Sequence, residues 1–117
     1  MSEHNKLGID GEEKAMLFLK KNDYKILEQN WRFGHKEVDI IAETSEFLII
    51  IEVKTRSSDF FDDATSVLSK KKKRFLIESA EVYISKKNID KECRFDLIFI
   101  SNSNIEHIKD AFNAFDL

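Results

Sequence analysis

A chain of 117 residues that is 42% hydrophobic and 35% charged has the length of one domain and too much apolar content for a disordered polymer. A formal net charge of −3 excludes coating of nucleic acid by bulk electrostatics. It leaves room for a local basic surface, because a phosphate senses charge within a Debye length of about 8 Å at physiological salt.

The single cysteine, Cys93, excludes an intrachain disulfide and a cysteine-based zinc cluster, and reads as a small buried hydrophobe in a reducing, cytoplasmic setting. Met1-Ser2-Glu3-His4-Asn5-Lys6 has no apolar h-region, so no secretory signal is expected. The run Phe47 to Ile51 is far too short to span a bilayer, so no membrane partner is expected. Without a repeat, a Pro-rich linker or a break in composition, residues 1–117 read as a single domain.

From about Asn5 to Asn22 the pattern is helical, with Gly8, Ile9, Glu12, Ala15, Met16 and Leu19 on one stripe. Asp10-x-x-Glu13 matches a capping box and lies off that stripe. Tyr24 to Trp31 reads as extended. Glu37 to Glu43 and Glu46 to Lys54 read as two strands rich in β-branched residues, joined at Thr44-Ser45. A loop is expected over Arg56 to Asp63 and a second amphipathic helix to about Lys86, with Leu68, Phe75, Leu76, Ser79, Ala80 and Tyr83 inward. Arg94 to Ile100 is a strand, Asn102 to Asn104 a turn, Ile105 to Ile108 a short edge strand, and Asp110 to Phe115 a short terminal helix. This order predicts an α/β fold, a mixed sheet flanked by helices.

The chemistry is concentrated in Glu37-Val38-Asp39-Ile40-Ile41-Ala42 and Ile50-Ile51-Glu52-Val53-Lys54, where charges interrupt apolar strand-like runs. A buried charge costs several kcal/mol, on the order of the penalty for an unpaired ion, unless it is paired, hydrated or bound to a cation. With Thr44-Ser45 as the loop, Asp39 faces Ile50 and Glu37 faces Glu52. Asp39, Glu37, Glu52 and Lys54 then share a face, and Asp39 and Glu52 are diagonal neighbours about 7–8 Å apart. A four-residue loop closed by Ala42 and Phe47 gives the same register. Two hard oxygen ligands on rigid strands suit Mg²⁺ or Mn²⁺, and Lys54 is placed to orient an attacking water or to neutralise charge on phosphorus. Glu12, central on the apolar stripe of the first helix, is a fourth candidate and a further metal ligand. The competing reading is a set of strand-end charges in solvent, with Lys54 bridging Asp39.

Lys70-Lys71-Lys72-Lys73-Arg74 is the strongest basic concentration, with Lys20-Lys21 and Arg32…His35-Lys36 weaker. Only Lys72 falls centrally on the apolar stripe of the second helix. If that helix begins at Ser69, the cations occupy its first turn against the macrodipole, at about 0.3–1 kcal/mol each, a penalty that a bound phosphate backbone would relieve. Trp31 and Phe33 read either as base-stacking rings or as core packing. His4, His35 and His107 share no ligand spacing, so no zinc site is expected.

Six motifs carry a resemblance over nearly the whole chain and in one order. They are Gly8-x-x-Gly11-Glu12-x-x-Ala15, Leu27…Asn30-Trp31-Arg32, the Glu37 to Ala42 string, Glu52-Val53-Lys54-Thr55-Arg56, Arg94-Phe95-Asp96-Leu97-Ile98 and His107-Ile108-x-Asp110-Ala111-Phe112. Together they resemble the YraN-like family, small bacterial proteins regarded as endonucleases. That family is similar to archaeal Holliday-junction resolvases and has the restriction-endonuclease-like PD-(D/E)xK fold. The resemblance implies a mixed central sheet flanked by helices, with Glu12, Asp39, Glu52 and Lys54 in the nuclease positions. It also implies Arg56 and Lys72 at positions where the family carries basic residues. Lys36 stands where that family usually has Gly.

The expected function is therefore metal-dependent hydrolysis of DNA phosphodiester bonds, with branched or damaged DNA as candidate substrates. Arg56, Lys70, Lys72, Lys73 and Arg74 are the expected DNA contacts. Two alternatives use the same scaffold without catalysis: a nucleic-acid-binding module, or an interaction subunit. In the latter, Ala111-Phe112-x-Ala114-Phe115 docks a partner or a second copy as a homodimer.

Overall fold

The computed structural model describes residues 3–55, 68–101 and 104–117, with side chains from residue 11 onward except residue 116. The expected loop from Arg56 to Asp63, including the candidate DNA contact Arg56, lies outside the described residues, as does most of the turn at Asn102 to Asn104. The elements run in the order α1 (Glu3–Lys21), β1 (Lys25–Phe33), β2 (Lys36–Glu43), β3 (Phe47–Thr55), α2 (Lys70–Lys87), β4 (Glu92–Ile100), β5 (Ile105–Phe112) and a closing 3₁₀ turn (Ala114–Asp116). The five strands form one mixed sheet in the order β1-β2-β3-β4-β5. All neighbours are antiparallel except β3 and β4, which pair parallel with α2 between them in sequence. This is a mixed α/β architecture compatible with the restriction-endonuclease-like fold. Among the described residues no helix is long and apolar enough to cross a membrane.

The centre of the sheet follows from composition. Leu48 to Ile51 of β3 and Leu97 to Ile100 of β4 are almost wholly excluded from solvent. Such continuous apolar runs belong to strands covered on both faces. One face carries Leu48, Ile50, Leu97 and Phe99 against Leu76, Ala80 and Tyr83 of α2. The other carries Ile49, Ile51, Ile98 and Ile100 against Ala15 and Leu19 of α1. The edge strands β1 and β5 carry exposed Lys25, Gln29, Arg32, Glu106 and Lys109, charge that discourages pairing with another chain.

Both ends of α2 are fixed locally. The Ser69 side chain accepts the Lys72 N–H at 3.1 Å, and Asn88 closes the helix in the left-handed conformation with its N–H donating to Ile84 O. The inward set expected from the sequence, Leu68, Phe75, Leu76, Ser79, Ala80 and Tyr83, does face the core. Ser79 is accommodated there because its hydroxyl donates to Phe75 O at 2.7 Å.

Three local expectations are corrected. The β2–β3 loop is Ser45-Glu46, not Thr44-Ser45. Thr44 closes it by donating its N–H to Phe47 O at 2.9 Å and accepting the Phe47 N–H on its hydroxyl at 3.1 Å. Lys91 braces this corner from outside, donating to Glu43 Oε2 at 3.0 Å and Thr44 O at 2.8 Å. The second correction concerns Asp10-x-x-Glu13. Because α1 begins at Glu3, Asp10 lies within the helix and is not its N-cap.

The third lies at the C-terminus, where residues 105–112 are one strand and only Ala114–Asp116 turns helically. The cause is a long-range bond: the Asp110 N–H donates to Asp96 Oδ1 at 3.0 Å, with Asp110 at φ 54 in a bulge opposite Asp96. Phe112 is thereby buried against Phe95, with ring centroids 5.0 Å apart, whereas Phe115 is 96% exposed.

Candidate active site

The corrected loop moves the β2–β3 register by two residues, a shift that by itself changes each side chain's partner and not its face. Ile40 pairs with Ile51, and one further step sets Asp39 opposite Glu52 rather than diagonal to it. The ladder between β2 and β3 ends there. Where backbone pairing stops, the Asp39 carboxylate substitutes for it, Oδ2 accepting the Val53 N–H at 2.8 Å.

The expected strict alternation along β2 also fails at this point. Val38 and Ile41, three residues apart, both pack in the core under α2. Asn30 of β1, opposite Asp39, has φ 51. One step of alternation is lost around Asp39. Val38 goes inward and Glu37 is left exposed beside Arg32 at 4.0 Å, away from the shared face expected for it.

Glu52 is 3% exposed. Its Oε2 is ion-paired with Lys72 Nζ at 3.2 Å and with Lys54 Nζ at 3.8 Å, and among the described residues no donor is oriented to make a hydrogen bond to it. Lys54 therefore pairs with Glu52 and does not bridge Asp39, as the strand-end reading expected. Burial and the hydrogen bond shared with Glu52, then the Glu52 charge, push the Asp39 carboxyl up to about 9; the Val53 N–H opposes this and the charge of Glu12 adds to it. Asp39 thus keeps a proton between two acids.

Glu12 enters the site through α1. Gly11 packs so closely on Thr55, at the end of β3, that a Cβ there would collide with the Thr55 hydroxyl. A glycine is required for this approach, and it sets the next residue, Glu12, close enough for its charge to act on Asp39. Among the described residues no three His, Cys, Asp or Glu side chains form a group that could hold a metal ion; Glu12 reaches the acidic pair through its charge on Asp39.

The donor set itself suits a hard divalent cation. Two carboxylates from adjoining strands meet, one buried oxygen is paired with lysines but has no hydrogen-bond donor among the described residues, and burial beside Glu52 raises the Asp39 carboxyl, whose proton a cation would displace.

Of the other sequence candidates, Lys72 joins the site, while Lys73 Nζ lies 5.8 Å from the Phe112 ring centroid, and Lys70 and Arg74 are exposed. With no acid in its first turn, the α2 N-terminus is a concentrated positive end beside Glu52.

A second charged cluster escaped the site prediction. Asp96, 1% exposed, accepts from Arg94 Nε at 2.9 Å and Nη2 at 2.8 Å, from His107 Nε2 at 2.7 Å and from the Asp110 N–H. Arg94 Nη2 also donates to Tyr24 Oη at 2.9 Å. The signal that could have found it is the one that found Glu52, an acid inside the apolar run Phe95 to Ile100. Cys93, as expected, is partly buried against the α2-side core, and burial pushes its thiol up to about 12.

Fold and site together define a class: a mixed α/β protein in which the β2–β3 pairing stops at an acidic pair, Glu52 buried and Asp39 half-buried, attended by two lysines. Residues 11–100 match the model of the family described as "Uncharacterised protein family UPF0102". A UPF0102 protein of Flavobacterium psychrophilum is 41% identical over 119 residues, spanning 98% of this chain and all of the relative. Another, from Bacteroides fragilis, is 44% identical over 116 residues, 96% of each chain. The chain belongs to the UPF0102 family.

Proposed function

We propose that this protein is a divalent-metal-dependent endonuclease that hydrolyses DNA phosphodiester bonds. The observation that carries the reading is the buried Glu52 carboxylate, with one oxygen that has no hydrogen-bond donor among the described residues, set opposite Asp39 and ion-paired with two lysines. Asp39 and Glu52 would hold Mg²⁺ or Mn²⁺, with Glu12 the nearest further acid. When bound, such an ion lowers the pKa of a ligated water and polarises a phosphoryl oxygen.

The protein's own groups account for the rest. Lys54 directs an ammonium at the point where Glu52 meets substrate, orienting the attacking oxygen and offsetting charge that develops on phosphorus. Lys72, reaching Glu52 from the positive end of α2, draws the DNA backbone toward the acids. The Val53 N–H holds Asp39 in place, and the Gly11–Thr55 contact fixes α1 so that Glu12 stays near.

The test is cleavage of plasmid and branched DNA by purified protein with Mg²⁺ or Mn²⁺. Glu52→Gln and Lys54→Ala are each expected to abolish it. Cleavage persisting unchanged in both variants would remove the assignment.

A further inference from the structure

Lys72 belongs to two environments at once. The ammonium that reaches Glu52 also lies 5.3 Å from the centroid of the Phe75 ring. Phe75 in turn lines a groove of about 380 Å³ between the β1–β2 hairpin and α2, within the range of roughly 300–1,000 Å³ typical of ligand clefts. Phe33 and Phe75 supply its apolar surface; Lys36, Lys71 and Arg74 supply cations, beside His35 and the acid Glu78.

The rings are ordered. Trp31 and Phe33 are stacked with centroids 6.3 Å apart and planes at 10°; Phe33 and Phe75 follow at 6.0 Å and 27°. Lys36 Nζ stands 5.5 Å from the Phe75 centroid. Trp31 and Phe75 also pack on the α2-side core, but Phe33 belongs to neither core cluster. Core burial therefore does not explain the ring that ends β1. Phe33 and Lys36 close a two-residue turn with positive φ at Gly34 and not at His35, the type II′ pattern that holds both side chains at the groove.

A flat apolar face bordered by lysines and arginine is the surface a nucleobase and its phosphates recognise together. A blunt duplex keeps its base faces stacked inside and offers such a groove phosphates alone.

We propose that this groove seats an unpaired nucleotide, its base stacked on Phe33 and its flanking phosphates against Lys36, Lys71 and Arg74. Single-stranded DNA, or a duplex with a single-strand extension, is then the preferred substrate. The placement of the nucleotide beside a scissile phosphate rests on the nuclease reading; the binding does not.

The experiment is fluorescence anisotropy of labelled oligothymidylate and of a blunt duplex annealed from two strands, both in EDTA. Wild type binds the single strand more tightly. Phe33→Leu weakens single-strand binding about tenfold and leaves duplex binding unchanged, and Phe33→Trp restores it. Arg74→Gln lowers single-strand affinity and its salt dependence, which decides the matter if Phe33→Leu does not fold.

Equal affinity for both DNAs, an equal loss on both in Phe33→Leu, or equally effective competition by polyglutamate would overturn the proposal. Because binding is read without metal or cleavage, a catalytically inert protein that still stacks the single strand would refute the nuclease and keep the groove.

Discussion

Asp39 and Asp96 are carboxylates on strands of the same sheet, and the protein surrounds them in opposite ways. Burial alone would push Asp96 up, but His107, then Arg94 and the Asp110 N–H, hold it below the ordinary carboxylate range. Asp39 accepts one backbone N–H, from Val53, and otherwise meets another acid; burial and Glu52 push it up to about 9. A buried acid with its full set of donors has a structural duty, here pinning the bulge of β5. Two acids side by side, one of them met only by lysine ammonium groups among the described residues, form a place that favours positive charge.

The largest expected effect separates the two regions by activity. Lys54→Ala lowers cleavage by about 10²–10⁴-fold, the usual worth of a positioned proton-transfer or charge-stabilising group. Asp96→Asn leaves the rate per folded molecule unchanged. Steady-state cleavage normalised to folded protein tells them apart, and equal losses in both variants would dissolve the contrast.

Stability reverses the ranking. Asp96→Ala leaves half-buried Arg94 and His107 without the carboxylate they share and costs about 3–5 kcal/mol in urea denaturation. Glu52→Gln keeps the contact with the protonated Asp39 carboxyl but leaves Lys72 facing a neutral amide, so a loss smaller than that of Asp96→Ala is expected. A larger loss in Glu52→Gln would mean that the acidic pair holds the fold together.

Gly11→Ala comes next. In an open helix this change stabilises by about 1 kcal/mol, but collision with Thr55 outweighs that gain. Overpacking costs of about 1–3 kcal/mol are expected, measured by thermal unfolding. Adding Thr55→Ala to the same chain recovers most of the loss; failure to do so would place the clash elsewhere.

A pH trend without metal completes the comparison. Between the ordinary 3.8 and about 9, folded Asp39 keeps a proton that the unfolded chain has released. Its stabilising contribution is complete below the lower value and is lost as pH rises toward the upper. Asp96, held low, contributes in the opposite sense: its stabilisation is present above about pH 4, near the unfolded value, and is lost on acidification. Asp39→Asn is therefore expected to gain on wild type in Tm from about pH 5 to about pH 8. A constant difference across that range would argue against the shared proton.

The framework was legible where periodicity is strong. The stripe containing Ala15 and Leu19, the runs of β3 and β4, and the Ser69 start of α2 all follow from spacing and capping chemistry. Misreadings arose where one side chain replaced a backbone bond. Thr44 closing the β2–β3 turn shifted the register, the Asp39 bond to Val53 accompanies a break in alternation, and the Asp96 bond to Asp110 keeps β5 extended. No local pattern in the sequence encodes such contacts. The acidic pair was legible because charge inside an apolar run is conspicuous. Asp96 is equally conspicuous, but its partners Arg94, His107 and Asp110 have no common spacing.

The most direct measurement is calorimetric titration of the purified protein with Mn²⁺, repeated on Glu52→Gln and Asp96→Asn after circular dichroism has verified that each is folded. Wild type and Asp96→Asn should each take up the ion with like affinity, with uptake abolished in Glu52→Gln. Retention of wild-type Mn²⁺ affinity by Glu52→Gln would contradict the account.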